Sequence, residues 1–518
     1  MGNIFAARKR QISERDAVFL IVTFYTILVN VPFWVAGPLL SLRGSGYFCV
    51  EYCAIGVIAL FLPGTVSGIA LVALVLVDIS VAVSETFAIP ISQCAENLSI
   101  FNALSLFRLV AIGLVLLMIL AIGLAATFLP LGRIRGRHRT YAASCLVLFA
   151  LTSVLIDYGT LVKRAGHFEN PTRHGFHEAG DAIGSSYFEE FHPSRMPLVR
   201  LVRSEFNYAQ VCAKAHATRG TTSTVASAAS LADRRIQVVA QGNRDDLPDL
   251  VLVLVESWGL HEDKEVNESL LDPYRKLADS GRYRLLQGTV PYFGFTVVGE
   301  GRELCASRIG FYLAEALPSQ LKGCLTERLN ALGYQSIAMH GMDGQLFNRA
   351  TWYKAMGFQE TQFKSEFERQ GLPNCPGAFI GTCDSDVAHS IDQRLAEEMS
   401  KPRFIYWVTL NSHLPVLVPS PLHHEQLCLA LSALRDQAAV CSWYQLIWNV
   451  HHSISEIAAG NHHRPTIFVV VGDHAPPFST PMARSQFSST VVPYLVLLPN
   501  ERAHEVGKAR DRPEQRSE

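Results

Sequence analysis

Two apolar stretches of the chain end in side chains that bind divalent metals. Residues 250–259 read LVLVLVESWG, so a strand-like run of Val and Leu ends at Glu256. Residues 469–474 read VVVGDH and place Asp473 and His474 after a second such run. A buried carboxylate is costly unless it is paired or metal-bound, and these oxygen and nitrogen donors suit zinc or manganese. Glu256 could instead cap a helix, and an Asp-His pair is often structural. Together the three residues indicate a metal site that is short of one ligand.

Thr296 is the residue best suited to complete this site. It lies in residues 290–310, VPYFGFTVVGEGRELCASRIG, a glycine-punctuated stretch with little helical or alternating pattern. Such a stretch predicts a backbone bent around an active centre. A threonine hydroxyl bound to a metal has a lowered pKa and can attack an electrophilic phosphorus atom. The alternative is an ordinary loop threonine.

Three further residues are suited to binding phosphate. His340 and Arg349 lie in residues 338–358, AMHGMDGQLFNRATWYKAMGF, and His413 lies in LNSHLP. Arginine binds phosphate through two parallel hydrogen bonds, and histidine can donate to phosphate or protonate a leaving alcohol. Each histidine alone is more often an ordinary surface or core residue, so the prediction depends on the set.

The candidate residues follow strand-like runs that alternate with helix-like segments. The runs cover residues 250–256, 336–340, 404–410, 466–471 and 492–498. This alternation predicts an α/β domain with a mostly parallel central sheet covered on both faces. Sites in such sheets lie at the carboxyl ends of the strands. The metal-ligand candidates, His340 and residues 411–413 all follow such runs, so we expect them at one edge of the sheet.

The first 165 residues differ in composition from the rest of the chain. They are dominated by Leu, Val, Ile, Ala and Phe, whereas the remainder has the mixture of a soluble domain. Over 518 residues, 45 basic and 46 acidic side chains leave no charge excess that would favour a nucleic-acid partner. The sequence predicts an integral membrane domain, residues 1–165, followed by a globular domain.

Apolar stretches long enough to cross a bilayer cover residues 17–42, 106–131 and 141–162. Residues 47–83 are about twice the minimum spanning length and contain Pro63-Gly64, so they form one long tilted helix or a hairpin of two short helices. With a hairpin, the basic clusters at residues 8–15 and 133–139 both lie in the cytoplasm, as the positive-inside rule favours. We therefore predict about five helical spans rather than four, with the soluble domain outside the cytoplasm.

The cysteines of the soluble part fall into three local candidate pairs. These are Cys305 with Cys324, Cys375 with Cys383, and Cys428 with Cys441, and Cys212 is left over. The chain contains no CxxC or CxxH zinc pattern, so disulfides in an oxidising compartment are favoured over scattered buried thiols.

Residues 166–245 join the two predicted domains. Within them, residues 187–211 mix aromatic and aliphatic side chains with Arg, as an interfacial segment or a segment packed on the globular domain would. The Ser/Thr/Ala-rich residues 218–232 are typical of a flexible boundary. We predict a linker at 166–245, a catalytic domain at 246–500 and a polar tail at 501–518.

The motifs resemble those of a known family. Residues 246–500 are similar to the sulfatase-like transferases of the alkaline phosphatase superfamily, which include lipoteichoic acid synthase, lipid A phosphoethanolamine transferase and the phosphoglycerol transferase of periplasmic glucans. The motifs that match are VESWG, GFTVVGEGRELC, HGMDGQLFNRATWYKAMGF, NSHLP and VVGDHAPP. The resemblance implies a sulfatase-like α/β sandwich, one divalent metal, and disulfides like those of the phosphoethanolamine transferases. The implied metal ligands are Glu256, Thr296, Asp473 and His474, and the implied phosphate contacts are His340, Arg349 and His413.

The chain departs from one branch of this family at the nucleophile. Lipoteichoic acid synthases carry their threonine in GQGKTSD, and a gap-free alignment to GEGREL at residues 299–304 would place Glu303 there. A T-x-x-G pattern like that of the glucan phosphoglycerol transferases selects Thr296 instead. We predict Thr296, because a carboxylate would not supply a metal-activated alcohol.

The resemblance implies a two-step transfer of a phospholipid head group, phosphoethanolamine or phosphoglycerol. Thr296 would attack the phosphodiester, diacylglycerol would leave, and the phosphothreonine enzyme would pass the head group to a glycan or lipid acceptor. The implied location is the bacterial cytoplasmic membrane, with the catalytic domain on the periplasmic or extracytoplasmic side. Two alternatives stay open: a phosphodiesterase or sulfatase-type hydrolase of this fold, and a non-catalytic scaffold or sensor. No C/S-x-P-x-R sulfatase signature surrounds Thr296.

Overall fold

The computed structural model divides into two compact units. One comprises Met1–Ala95 and Leu106–Val211, and the other comprises Glu96–Ser105 and Cys212–Glu518. The structure describes residues 13–31, 34, 48–87, 106–128, 131, 134–165, 194–195, 226–292, 295–307, 321–375, 377, 379–414, 416, 418, 422–478 and 481–500. The predicted interfacial residues 187–211 lie outside these ranges except for 194–195, and so do Cys212, residues 218–225 and the tail 501–518.

The described part of the first unit is mainly helical. Its helices are Glu14–Leu28, Glu51–Phe61, Gly64–Phe87, Leu106–Phe128 and His138–Ala165. Two short strands, β1 (Phe48–Cys49) and β2 (Ser194–Arg195), pair in parallel. The apolar region 47–83 breaks between its two helices at Leu62 and Pro63, where proline lacks the backbone N–H that continues a helix.

Two described stretches, Gly64–Val81 and His138–Leu155, are long and apolar enough to cross a membrane. The helix Glu51–Phe61 is apolar but has 11 residues. A helix of that length rises about 16 Å, whereas the hydrocarbon core of a bilayer is about 30 Å thick. The described helices therefore show two membrane-length stretches rather than the five predicted spans.

The second unit is built on a seven-stranded sheet with the order β4-β11-β10-β3-β9-β5-β6. The strands are β3 (Asp249–Val255), β4 (Tyr283–Pro291), β5 (Gln335–His340), β6 (Glu360–Gln362), β9 (Arg403–Val408), β10 (Thr466–Gly472) and β11 (Val491–Pro499). Neighbours from β10 to β6 pair in parallel, and β11 runs antiparallel to both β10 and β4. A separate antiparallel pair is formed by β7 (Asn374–Cys375) and β8 (Gly381–Thr382). The prediction of a mostly parallel α/β sheet is confirmed.

Strand β3 shows why this sheet is covered on both faces. Its alternate residues Val251, Val253 and Val255 belong to one buried apolar cluster, and Leu250, Leu252 and Leu254 belong to another. The first cluster includes residues of the helices Lys264–Asp279, Asp384–Ala396 and Ala438–Ala459. The second includes residues of Ala229–Gln241, Thr296–Cys305, Leu325–Ala331 and Arg349–Ala355. Shorter helices span Lys364–Arg369, Glu425–Ala430 and Pro481–Arg484, and 3₁₀ turns span Arg244–Asp246 and Leu346–Asn348.

A buried ion pair ties β3 to β9 at the start of both strands. Asp249 Oδ1 accepts a hydrogen bond from the backbone N–H of Arg403 at 2.7 Å, and Asp249 Oδ2 accepts one from Arg403 Nε at 3.1 Å. Both side chains are buried, and burial raises the pKa of Asp249. This pair therefore lies at the amino edge of the sheet, opposite the strand ends that carry the candidate site.

The three predicted disulfides are confirmed. Cys305 is bonded to Cys324, Cys375 to Cys383, and Cys428 to Cys441. Among the described cysteines, the free ones are Cys49, Cys53 and Cys145, all buried in the first unit. Disulfides are restricted to the second unit, as expected of a domain that folds in an oxidising compartment.

Candidate active site

The strand order brings the predicted site residues to one edge of the sheet. Strands β10, β3, β9 and β5 are consecutive neighbours, and their carboxyl ends lead to Asp473, Glu256, the loop 409–413 and His340. Parallel strands end at the same edge, which is where α/β sheets place their sites.

Glu256, Asp473 and His474 form a buried cluster at this edge. One ligand atom from each lies within 4.8 Å of the others. His474 Nε2 is 3.3 Å from Asp473 Oδ2 and 3.6 Å from Glu256 Oε1. Its other ring nitrogen, Nδ1, donates to the carbonyl of Ala475 at 2.9 Å, so the Nε2 atom is directed at the carboxylates. A carbonyl partner on the second nitrogen is the usual arrangement of a metal-binding histidine.

The hydrogen bonds of Asp473 test whether this cluster fits a cation. Its Oδ1 atom accepts from the backbone N–H groups of Ser257, at 2.8 Å, and His474, at 2.6 Å. Its Oδ2 atom is buried and has no hydrogen-bond partner. Burial, together with the charge of Glu256, raises the pKa of Asp473 well above its usual range. A divalent cation would satisfy Oδ2 and relieve the repulsion between the two carboxylates, so the residues fit a metal.

Glu256 is held as a carboxylate. Burial raises its pKa, but the charges of His413 and His474 and the hydrogen bonds from Thr296 and Ser257 outweigh burial and leave the pKa below its usual range. The bonds are Thr296 Oγ1 to Oε2 at 2.8 Å and Ser257 Oγ to Oε1 at 2.9 Å. Thr296 therefore lies beside the metal cluster, as the sequence predicts.

Thr296 begins a helix, Thr296–Cys305, so the expectation of an irregular backbone after it is wrong. Glu303 lies further along this helix and is engaged elsewhere. Its Oε1 atom accepts from Arg302 Nε at 2.6 Å, and its Oε2 atom accepts from Ser227 Oγ and the backbone N–H of Ala229. Among the two nucleophile candidates, Thr296 is the one hydrogen-bonded to Glu256.

Gly299 explains how a glycine-rich segment can be helical here. A Cβ atom at this position would lie 3.1 Å from Asp473 Cβ and 3.2 Å from Asp473 Cα. The glycine therefore allows the helix to pack directly on the backbone of Asp473.

We expect Gly299→Ala to reduce activity about tenfold while changing stability little. The helix gains about 1 kcal/mol in propensity, which offsets the overlap, but Asp473 must shift by a few tenths of an ångström. Steady-state rates and thermal melts measure the two effects. The matched control is Gly113→Ala, in the helix Leu106–Phe128, where a Cβ atom meets nothing within 4 Å. An active, destabilised Gly299 variant would contradict the prediction.

The backbone around Glu256 is fixed by residues that the sequence did not single out. Thr409 Oγ1 accepts from the Glu256 N–H at 2.9 Å, and Ser412 Oγ donates to the Glu256 carbonyl at 2.5 Å. Ser257 has a left-handed backbone with a φ of 58°, and Trp443 Nε1 donates to its carbonyl at 2.7 Å. Strained residues of this kind cluster at functional sites.

The loop that carries His413 is anchored by Asp384. The Asp384 carboxylate accepts from the N–H groups of Leu410 and Asn411, and Asn411 Oδ1 accepts from the N–H of Asp384 at 2.7 Å. Burial raises the pKa of Asp384 to about 7 against these hydrogen bonds. The half-buried His413 donates from Nδ1 to the Leu414 carbonyl at 2.6 Å.

His340 and Arg349 are also brought together, both buried. Burial and the charge of Arg349 lower the pKa of His340 to about 3, so the ring is neutral. Its Nδ1 atom donates to the Val408 carbonyl at 2.9 Å, and its Nε2 atom lies 3.5 Å from Arg349 NH1. In this tautomer Nε2 accepts, so His340 faces Arg349 as an acceptor.

Comparison with known proteins agrees with the motifs. The model of the family described as Sulfatase matches residues 301–516. A Rhizobium meliloti protein named "Putative cyclic beta-1,2-glucan modification protein" is 28% identical over 179 residues, which are 33% of this chain and 25% of that protein. The chain thus matches a quarter of the length of this curated relative.

Two solved structures share the fold. The Streptococcus pyogenes phosphoglycerol transferase GacH, in complex with sn-glycerol-1-phosphate, is 19% identical with a TM-score of 0.36, over 54% of this chain and 76% of its own. The soluble domain of lipooligosaccharide phosphoethanolamine transferase A from Neisseria meningitidis is 13% identical with a TM-score of 0.34, over 50% of this chain and 79% of its own.

The sheet and the matched region define a sulfatase-like α/β domain of the alkaline phosphatase superfamily, and the resemblance drawn from the motifs is confirmed. The family match contains His340, Arg349, His413, Asp473 and His474. Glu256 and Thr296 precede the matched residues, and their place in the site follows from the geometry of the cluster.

Proposed function

We propose that this chain is a membrane-anchored, metal-dependent transferase. It moves a phosphoethanolamine or phosphoglycerol head group from a membrane phospholipid to a glycan or lipid acceptor outside the cytoplasm. The observation that carries the proposal is the Thr296 hydroxyl, placed 2.8 Å from a carboxylate of the Glu256, Asp473 and His474 cluster. A hydroxyl nucleophile beside a metal site is the arrangement that phosphoryl transfer through a covalent intermediate requires.

Glu256, Asp473 and His474, with the hydroxyl of Thr296, would hold one divalent metal. Two carboxylates, an imidazole and a hydroxyl suit either zinc or manganese. When bound, this metal would lower the pKa of the Thr296 hydroxyl and offset negative charge on the phosphate.

The remaining steps belong to the side chains of the site. Thr296 Oγ1 attacks phosphorus while Glu256 Oε2 holds the hydroxyl proton. The bond from phosphorus to diacylglycerol breaks, and His413, whose Nδ1 is fixed on a carbonyl, uses Nε2 to supply a proton to the leaving alcohol. An acceptor hydroxyl or amine then attacks the phosphothreonine and releases Thr296. The start of the helix Thr296–Cys305 adds the positive end of its dipole beside the phosphate.

Multi-pass anchoring by about five spans and an extracytoplasmic catalytic domain belong to the same proposal. The two membrane-length stretches and the three disulfides of the second unit support both.

The test is an assay of the full chain in detergent with head-group-labelled phosphatidylethanolamine and phosphatidylglycerol, with and without glycan acceptors. We expect the label of one lipid to move onto an acceptor, and diacylglycerol to appear in equal amount. Release of free head group alone, with every acceptor tested, would make the protein a hydrolase of this fold.

A further inference from the structure

Glu300 lies one helical turn after Thr296. Residues four apart lie on the same face of a helix, so the two side chains leave the helix in similar directions. Thr296 contacts Glu256, whereas Glu300 is fully buried and contacts Arg349. One short helix therefore links the proposed nucleophile to the proposed phosphate-binding arginine.

The Glu300 carboxylate receives four hydrogen-bond donors. Its Oε1 atom accepts from Arg349 Nε at 2.8 Å and lies 2.7 Å from Arg349 NH2. Its Oε2 atom accepts from the hydroxyls of Tyr353, at 2.7 Å, and Tyr406, at 3.3 Å. Burial raises the pKa of both tyrosines well above the usual range, so both hydroxyls remain donors. Glu300 thus occupies one edge of the guanidinium and leaves NH1 directed at His340 Nε2, 3.5 Å away.

The backbone before Arg349 is strained in a way that an ordinary buried ion pair does not require. Phe347 and Asn348 both have left-handed conformations with φ angles of 54°. The Phe347 ring lies 5.2 Å from the Arg349 guanidinium carbon. Consecutive residues of this kind cost free energy and persist where the surrounding structure holds them, most often at functional sites.

We propose that Glu300 is a positioning residue, which fixes the Arg349 guanidinium relative to Thr296 so that its NH1 atom faces the substrate phosphate. The inference rests on the proposed function, because it assumes that Arg349 binds a phosphate. Glu300 acts through Arg349 alone, and the tyrosines fix Glu300. The nucleophile and the cation that receives phosphate charge are thereby carried by one rigid element, and small errors in such placement cost large factors in rate.

The test is a double-mutant cycle on the full chain in detergent. Its variants are Glu300→Gln, Arg349→Met and the double variant, assayed for kcat and KM with the phospholipid donor that the wild type uses. We expect Glu300→Gln to lower kcat/KM about 100-fold, because Gln cannot hold the guanidinium edge. In the Arg349→Met background the same change should have less than about a twofold effect, since the residue it positions is gone.

The matched control is Asp249→Asn, which removes the carboxylate from the buried pair with Arg403 at the opposite edge of the sheet. We expect it to lower the melting temperature but to keep kcat/KM per folded molecule within about twofold. If Glu300→Gln does not fold, Tyr353→Phe removes one bond to Glu300 and should lower kcat/KM about fivefold, again only when Arg349 is present.

The outcomes separate this inference from the proposed function. An active wild type whose Glu300→Gln and Arg349→Met effects multiply would overturn the positioning role and leave the transferase intact. The same holds if Glu300→Gln keeps full activity. A wild type that moves no head group onto any acceptor would remove the proposed function and this inference with it.

Discussion

Replacing Thr296 with alanine is expected to lower head-group transfer by at least about 10⁴-fold, because the variant has no hydroxyl to form the covalent intermediate. The fold should survive, since Thr296 is the first residue of its helix and its side chain makes one hydrogen bond, to Glu256. Intact-mass analysis after incubation with phospholipid is the decisive measurement. The wild type should gain the mass of one head-group phosphate on Thr296, and that mass identifies the head group.

The control is Thr289→Ala, which removes a threonine exposed on β4 and should retain full activity and the full adduct. A hydrolase that uses this nucleophile would show the adduct but release the head group to water. A Thr296→Ala chain that forms product and functions normally in cells would favour the scaffold or sensor and contradict the role of Thr296.

The parts of the site at strand ends could be predicted from the sequence. Buried parallel strands read as continuous apolar runs, and a polar residue at the end of such a run is conspicuous, as with Glu256 and Asp473. Strands β4 and β6 were not predicted. β4 carries exposed polar residues, and β6 has only three residues, so neither has the pattern of a buried strand.

The contacts that set the geometry could not be predicted in the same way. Ser257, Thr409 and Ser412 act on one another across three separate parts of the chain, and nothing in a single sequence pairs them. Glu300 was hidden because the glycines around it do not predict a helix, so its four-residue spacing from Thr296 carried no meaning. Its partner Arg349 was singled out, but the ion pair between them was not.

Removing the carboxylate of Asp473 should abolish metal binding and activity without unfolding the metal-free protein. In Asp473→Asn the amide oxygen can still accept from the N–H groups of Ser257 and His474, while the buried Oδ2 atom that lacks a partner is lost. Melting curves in EDTA and with added zinc or manganese measure this directly. A metal at about 100 times its Kd stabilises the wild type by about 2.7 kcal/mol, and we expect no such gain for the variant.

The sign of the pH dependence provides a second check on the same pair. Burial and Glu256 raise the pKa of Asp473 above the ordinary value of 3.8, so the metal-free folded state binds a proton that the unfolded state has released. The wild type in EDTA should therefore lose stability as pH rises above 3.8, relative to Asp473→Asn, and the two should differ least at lower pH. Asp272→Asn, which changes an exposed aspartate on the helix Lys264–Asp279, should follow the wild type in metal content, activity and pH dependence. A variant at Asp473 that still binds one metal and gains stability from it would remove Asp473 from the ligand set, and with it the reason for the buried, unpartnered oxygen beside Glu256.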